Sequence, residues 1–109
     1  MELRRGDLVI VSAPGSYGKP RPSVVIQSNF FQATGSLTVL LMTSDLREDL
    51  PLIRHVVAPS ESNGLATTSH IMIDKIFTIP KERMGKRIGH LSSAQMAEIT
   101  AAVAVFLGI

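Results

Sequence analysis

Arg21 sits between Pro20 and Pro22, where a stretch rich in proline and glycine gives way to the run Ser23-Val24-Val25-Ile26-Gln27. A guanidinium offers two parallel donors and a permanent charge, which match the oxygens of a phosphate. The flanking prolines limit the backbone around it and give the side chain a fixed root. Lys19, two residues earlier, can neutralise a neighbouring phosphate, or can stand as a solvated loop lysine. Thr43 and Ser44 close a second apolar run. Their hydroxyls can donate to a phosphate or orient another hydroxyl. The plainer reading is a hydroxyl pair capping the turn before Asp45. Asp74 ends a third apolar run and can orient a catalytic group, read a base or pair with a nearby cation. His70 lies four residues before it, on the same face of a strand. An imidazole titrates near neutral pH, although a lone strand histidine is more often structural. Tyr17 can stack on a base or simply cover its loop.

Those groups must be placed by a small molecule. The chain has 109 residues, which fits one domain over 1–109 with a modest core. It is 45% hydrophobic and 18% charged, a globular composition rather than a disordered one. There is no cysteine, so disulfides, thiolate metal sites and cysteine nucleophiles are excluded. The three histidines and scattered carboxylates lack metal-ligand spacing, and no metal or other cofactor is expected. Nucleophile-elbow, Walker and Rossmann patterns are absent. Net charge is +2 with a pI near 9.4, which permits a polyanionic partner without demanding one. Aromatic residues make up 5% of the chain, so a stacking platform is thin: Tyr17, Phe30, Phe31 and Phe77 are its candidates. No apolar run is long enough to cross a bilayer, and the charged N-terminus does not resemble a signal peptide. The expectation is a cytoplasmic protein without a membrane partner.

The elements read as short strands followed by one helix. Leu8 to Val11, Ser23 to Gln27, Leu37 to Met42, Leu52 to Val57, His70 to Asp74 with its continuation to Ile79, and Lys86 to His90 have strand character. Ser28 to Phe31 starts a short helical turn. The stretches from Ala13 to Pro22, Asp45 to Asp49 and Pro59 to Thr68 read as loops. Ser92 with Gln95 forms a capping box. Met96, Ile99, Val103, Phe106 and Leu107 then recur at helical spacing, and Gly108 stands where a helix ends. Five to seven short strands and a terminal helix predict a mainly β fold with α: a strongly bent sheet or partly open barrel. The helix is apolar on most sides, which favours burial against a second copy.

Five segments, in order along the chain, resemble the MazF/PemK family of toxin endoribonucleases. They are Arg5-Gly6-Asp7-Leu8-Val9; Gly18-Lys19-Pro20-Arg21-Pro22-Ser23-Val24-Val25-Ile26; Leu41-Met42-Thr43-Ser44; Asn63-Gly64-Leu65 with Ile71 to Ile76 and Thr78-Ile79-Pro80; and Gly89-His90-Leu91-Ser92. The second is the specific one. There are two departures. The loop from Ala13 to Gly18 is shorter than in many members. Met72 stands where some members place an arginine, so a mechanism needing an arginine there does not apply to this chain.

The resemblance implies a small CcdB/PemK-like (SH3-like) barrel, a homodimer, and a cognate MazE-like antitoxin covering the RNA groove, with DNA reached only indirectly through the antitoxin complex. It implies metal-independent, sequence-specific cleavage of single-stranded RNA. The substrate's 2′-hydroxyl attacks, leaving a 2′,3′-cyclic phosphate and a 5′-hydroxyl. Arg21 and Thr43 are then the catalytic candidates, and Lys19, Ser44, Tyr17, Asp74 and His70 the substrate-binding ones. The alternative is a gyrase-binding toxin of the CcdB type, faintly echoed in the ending Phe106-Leu107-Gly108-Ile109, which lacks the tryptophan of that group.

Overall fold

The computed structural model describes residues 2–12 and 19–109; Tyr17 and the loop from Ala13 to Gly18 lie outside them. Six strands form one antiparallel sheet. They are β1 (Asp7–Val11), β2 (Arg21–Val25), β3 (Ser36–Thr43), β4 (Arg54–Val57), β5 (Ser69–Pro80) and β6 (Met84–His90). Their order across the sheet is β4-β5-β3-β2-β1-β6, and the sheet is not closed. One helix, α1 (Ser93–Leu107), follows. The Asn29–Phe31 segment is a 3-10 turn, as its composition suggests.

Apolar residues occupy both faces of the central strands, which is why they read as continuous hydrophobic runs rather than alternating ones. Val9, Val11, Val25, Val39, Leu41 and Met72 pack together on one face. Leu8, Val24, Leu40, Met42, Ile71 and Ile73 pack on the other, beneath Ile99 of α1. Ser23 is fully buried between them and donates its hydroxyl to the Val9 carbonyl at 3.0 Å. Such a partner is what makes a buried hydroxyl tolerable. β5 is a single long strand whose pairing with β3 slips between Leu40 and Met42, at the bend expected near Asp74.

The helix begins on the capping box. The Gln95 N–H donates to Ser92 Oγ at 3.1 Å, and the Ser92 N–H donates to Gln95 Oε1 at 3.0 Å. Gly108 ends it in the left-handed conformation. Met96, Ile99, Ala102 and Val103 meet the sheet. Phe106 and Leu107 do not: they are 47% and 52% exposed, although their spacing places them on the apolar face. Phe106 instead lines an open groove with Leu52, Ile53 and Ile73. Arg5 ties this flank together, its guanidinium donating to the Ile26 carbonyl and to Thr100 Oγ1.

Candidate functional site

β1 and β2 pair with Val11 opposite Arg21, and β2 and β3 with Ser23 opposite Leu41. Carried two residues further, the second register sets Arg21 opposite Thr43. Thr43 in turn pairs with His70 of β5. Directly opposed residues project to the same side of a sheet, close enough for their side chains to interact. The arginine rooted between two prolines and the threonine at a strand end are therefore neighbours, although 22 positions separate Arg21 from Thr43.

Both line a pocket of about 340 Å³ at this end of the sheet. Lys19, Arg21, Thr43 and Ser44 form one side, and Leu65, Thr67 and Ser69 another. An arginine, a loop lysine and two hydroxyl residues gathered around one concavity suit an oxyanion. Thr43 is half-buried and Ser44 exposed. The Asp45 N–H donates to Thr43 Oγ1 at 3.1 Å, so the capping role expected of this hydroxyl coexists with its place in the pocket. A hydroxyl that accepts one bond still has its own hydrogen to give.

His70 and Asp74 are not among the lining residues. His70 is buried, and its Nδ1 accepts from the Arg47 N–H at 3.4 Å. Asp74 is half-buried and pairs with Lys75 at 3.3 Å. Of the stacking candidates, Phe77 packs against the core, while Phe30 and Phe31 stack edge-to-face on each other away from the pocket. Among the described residues no three histidine, aspartate or glutamate side chains cluster as metal ligands would.

Two parts of the site take their place only in three dimensions. The first is the wall from Leu65 to Ser69, most of it in the loop read from Pro59 to Thr68. It is held by Asn63, whose Oδ1 accepts from the Ser60 and Leu65 N–H groups, both at 3.0 Å, and whose Nδ2 donates to the Ala58 carbonyl at 2.9 Å. The backbone here runs tight against β6. A Cβ on Gly64, which has φ +66°, would stand 2.0 Å from the Ile88 carbonyl oxygen, and one on Gly89 would stand 2.3 Å from that of Ser62. Side chains are excluded at both crossings. The Asn63-Gly64-Leu65 and Gly89-His90-Leu91 segments are thus two halves of one packing contact. The second part is Arg54. It pairs with Met72 across β4 and β5, so a guanidinium stands beside the position where the sequence itself has none.

The segment after Thr43 is cationic and acidic by turns. Arg47 forms a two-pronged pair with Asp49, at 3.1 and 3.0 Å. That hydrogen bond holds the Asp49 carboxyl below its ordinary value and raises Arg47.

An open, bent antiparallel sheet with one terminal helix, carrying a cation and hydroxyl pocket at its strand ends, defines a small β-barrel-like protein shaped to receive an anionic ligand. Its lineage is specific. Residues 4–107 match the family described as PemK-like, MazF-like toxin of type II toxin-antitoxin system, and the chain belongs to that family. It is 44% identical over 109 residues to a protein of Mycolicibacterium smegmatis named "Probable endoribonuclease MazF", the match covering 98% of each chain. Among solved structures it is similar to one titled "Endoribonuclease in complex with its cognate antitoxin from Mycobacterial species", with a TM-score of 0.80 at 22% identity over 98% of this chain and 96% of that one. It is equally similar to MazF of Deinococcus radiodurans, with a TM-score of 0.80 at 18% identity over 100% and 99%. At those identities the structures speak for the fold, which is the partly open barrel that the sequence predicts.

Proposed function

We propose that this chain is an endoribonuclease toxin that cuts single-stranded RNA without a metal. The observation that carries the reading is the shared pocket of Arg21 and Thr43. The name of the 44% identical relative supports it and favours a nuclease over the gyrase-binding alternative.

In this mechanism the 2′-hydroxyl of the RNA loses its proton to a base or water and attacks the adjacent 3′-phosphate; the P–O5′ bond breaks and the leaving O5′ takes up a proton, so no net proton is consumed. Arg21 offsets the charge that grows on the phosphorane oxygens. Thr43, whose oxygen already accepts from Asp45, donates its hydrogen to the same phosphate. Lys19 and Ser44 take the adjoining backbone contacts. His70, opposite Thr43 in the sheet register, and Asp74 serve substrate contacts beyond the scissile phosphate. The products are a 2′,3′-cyclic phosphate and a 5′-hydroxyl.

The toxin acts in the cytoplasm as a homodimer, restrained by a cognate antitoxin. Dimerisation is supported by exposed Val105 and Phe106 on the last turns of α1, which line one apolar groove with exposed Leu52. Isolated apolar side chains are ordinary on a surface, but large exposed ones gathered along one groove mark an interaction site. The decisive experiment incubates purified protein with single-stranded RNA and excess EDTA and analyses the fragment ends. Cyclic phosphate and 5′-hydroxyl ends are expected. Intact RNA, or cleavage that returns only with added metal, overturns the reading.

A further inference from the structure

We infer that Arg54 is a positioning residue for the Thr43 hydroxyl, acting through the Asp45 peptide unit. The inference rests on the nuclease reading and deepens it.

The two backbone polar groups of Asp45 are both engaged. Its N–H donates to Thr43 Oγ1 at 3.1 Å, and its carbonyl accepts from Arg54 Nη1 at 3.2 Å. Arg54 belongs to β4, two strands away from Thr43 in the sheet order. Its side chain therefore crosses β5 to reach the end of β3. It starts opposite Met72 and runs toward the end of β3, where Thr43 pairs with His70, whose Nδ1 is already taken by the Arg47 N–H. The Arg54 Nε is buried and has no hydrogen-bond partner. Leaving a buried donor unmet is costly, so a geometry that tolerates it is held by the rest of the side chain.

The Asp45 N–H decides what Thr43 does. By occupying one lone pair of Oγ1 it sets the hydroxyl rotamer and leaves the hydrogen to be given away. A hydroxyl so placed serves a phosphate oxygen and does not act as an acceptor for the attacking 2′-hydroxyl. Ser44 to Asp49 are exposed, and burial does not hold this turn in place. Arg54 is a cross-strand strut that does. Its charge also bears on the turn: together with the stronger hydrogen bond from Arg47, it lowers the Asp49 carboxyl.

The test is a double-mutant cycle in the full chain, using Arg54→Met, Thr43→Val and the pair, with steady-state cleavage of a single-stranded RNA oligonucleotide. Arg54→Met is expected to lower kcat about tenfold with KM within twofold, because an interaction realised only in the transition state is lost. In the Thr43→Val background the same change is expected to cost less than twofold, since residues acting as one unit are non-additive. Arg54→Lys, which keeps a donor, restores part of kcat. A second readout does not depend on cleavage. Amide hydrogen exchange at Asp45 is expected to accelerate at least tenfold in Arg54→Met while α1 amides stay protected. Losses that multiply in the double variant, a rise in KM at constant kcat, or unchanged Asp45 exchange each overturn the inference. If the unmodified protein cuts no RNA, the nuclease reading fails alone and the exchange measurement still decides the strut.

Discussion

Arg5 and Arg21 are guanidiniums at opposite flanks of the same sheet, and their surroundings differ in kind. Arg5 spends its donors inside the protein, on a carbonyl after β2 and a hydroxyl of α1. Around it the polar groups are matched: the capping box is closed at both bonds and the helix end is satisfied by Gly108. Arg21 instead lines an open pocket with Lys19, Thr43 and Ser44. There the turn after β3 is exposed, and the opposite wall is a loop fastened by two close backbone crossings. One flank is fastened by side-chain bonds across the fold, while the other gathers two cationic and two hydroxyl residues around one concavity. Perturbed and polar groups gathered in a concavity are a common mark of a functional site.

The contrast breaks most sharply at the two arginines. Arg21→Ala is expected to lower RNA cleavage by roughly a hundredfold to a thousandfold, the usual effect of removing one preorganised charge-stabilising donor. Its thermal midpoint should stay within a few degrees of the parent. Arg5→Ala is expected to do the reverse, keeping cleavage within a few-fold while costing about 1–2 kcal/mol, because its charge-assisted bonds lie in a half-buried setting. Parallel cleavage assays and urea titrations measure both. If Arg21→Ala cleaves at the parent rate, or if Arg5→Ala abolishes cleavage in a folded protein, the two flanks do not divide the work as described.

The helix flank was the easier to read from sequence. Ser92 and Gln95 announce a capping box by type and spacing alone, and both bonds are present. The unbroken Ser23-Val24-Val25 run signals burial on both faces, and all three are buried. The Arg21 signature and the strand-end Thr43 were legible as separate motifs, but only sheet register makes them neighbours. The Leu65–Ser69 wall was legible in large part as the loop from Pro59 to Thr68, but nothing in a polar loop says which distant residues it will face. Gly64 falls in a stretch read as a loop and Gly89 in one read as a strand, and the close crossing of the two is a three-dimensional fact. Arg54 looked like an ordinary strand cation, because neither its partner Met72 nor the Asp45 carbonyl lies near it in sequence. Phe106 and Leu107 carry the helical spacing beyond the part of α1 that meets the sheet and stay exposed, because periodicity assigns a face without saying how far the sheet beneath extends.

Ile99 sharpens the comparison from the side of stability. It is fully buried between α1 and the sheet, among Leu8, Leu40 and Ile71. Ile99→Ala removes apolar volume and leaves a cavity that a closely packed neighbourhood refills only in part, so a loss of about 2–5 kcal/mol is expected. Chemical denaturation reads it directly, and cleavage per folded molecule should be unchanged. A loss below about 1 kcal/mol would mean that the helix packs loosely and that this flank is not the rigid one.

The smallest effect belongs to the exposed turn beside the site. The hydrogen bond from Arg47 holds the Asp49 carboxyl below its ordinary value of 3.8. A depressed carboxylate adds stability that is complete above the unfolded value and disappears as pH falls through the folded one. Asp49→Asn should therefore differ from the parent by a small, constant shift in midpoint above about pH 5, closing as the pH falls below the ordinary carboxylate range. Both partners are exposed, so salt near 1 M should shrink the shift at every pH. A gap that survives both acid and salt would show that Asp49 acts by packing and not by charge. The turn would then be as firmly built as the helix flank, with no need of a strut from β4.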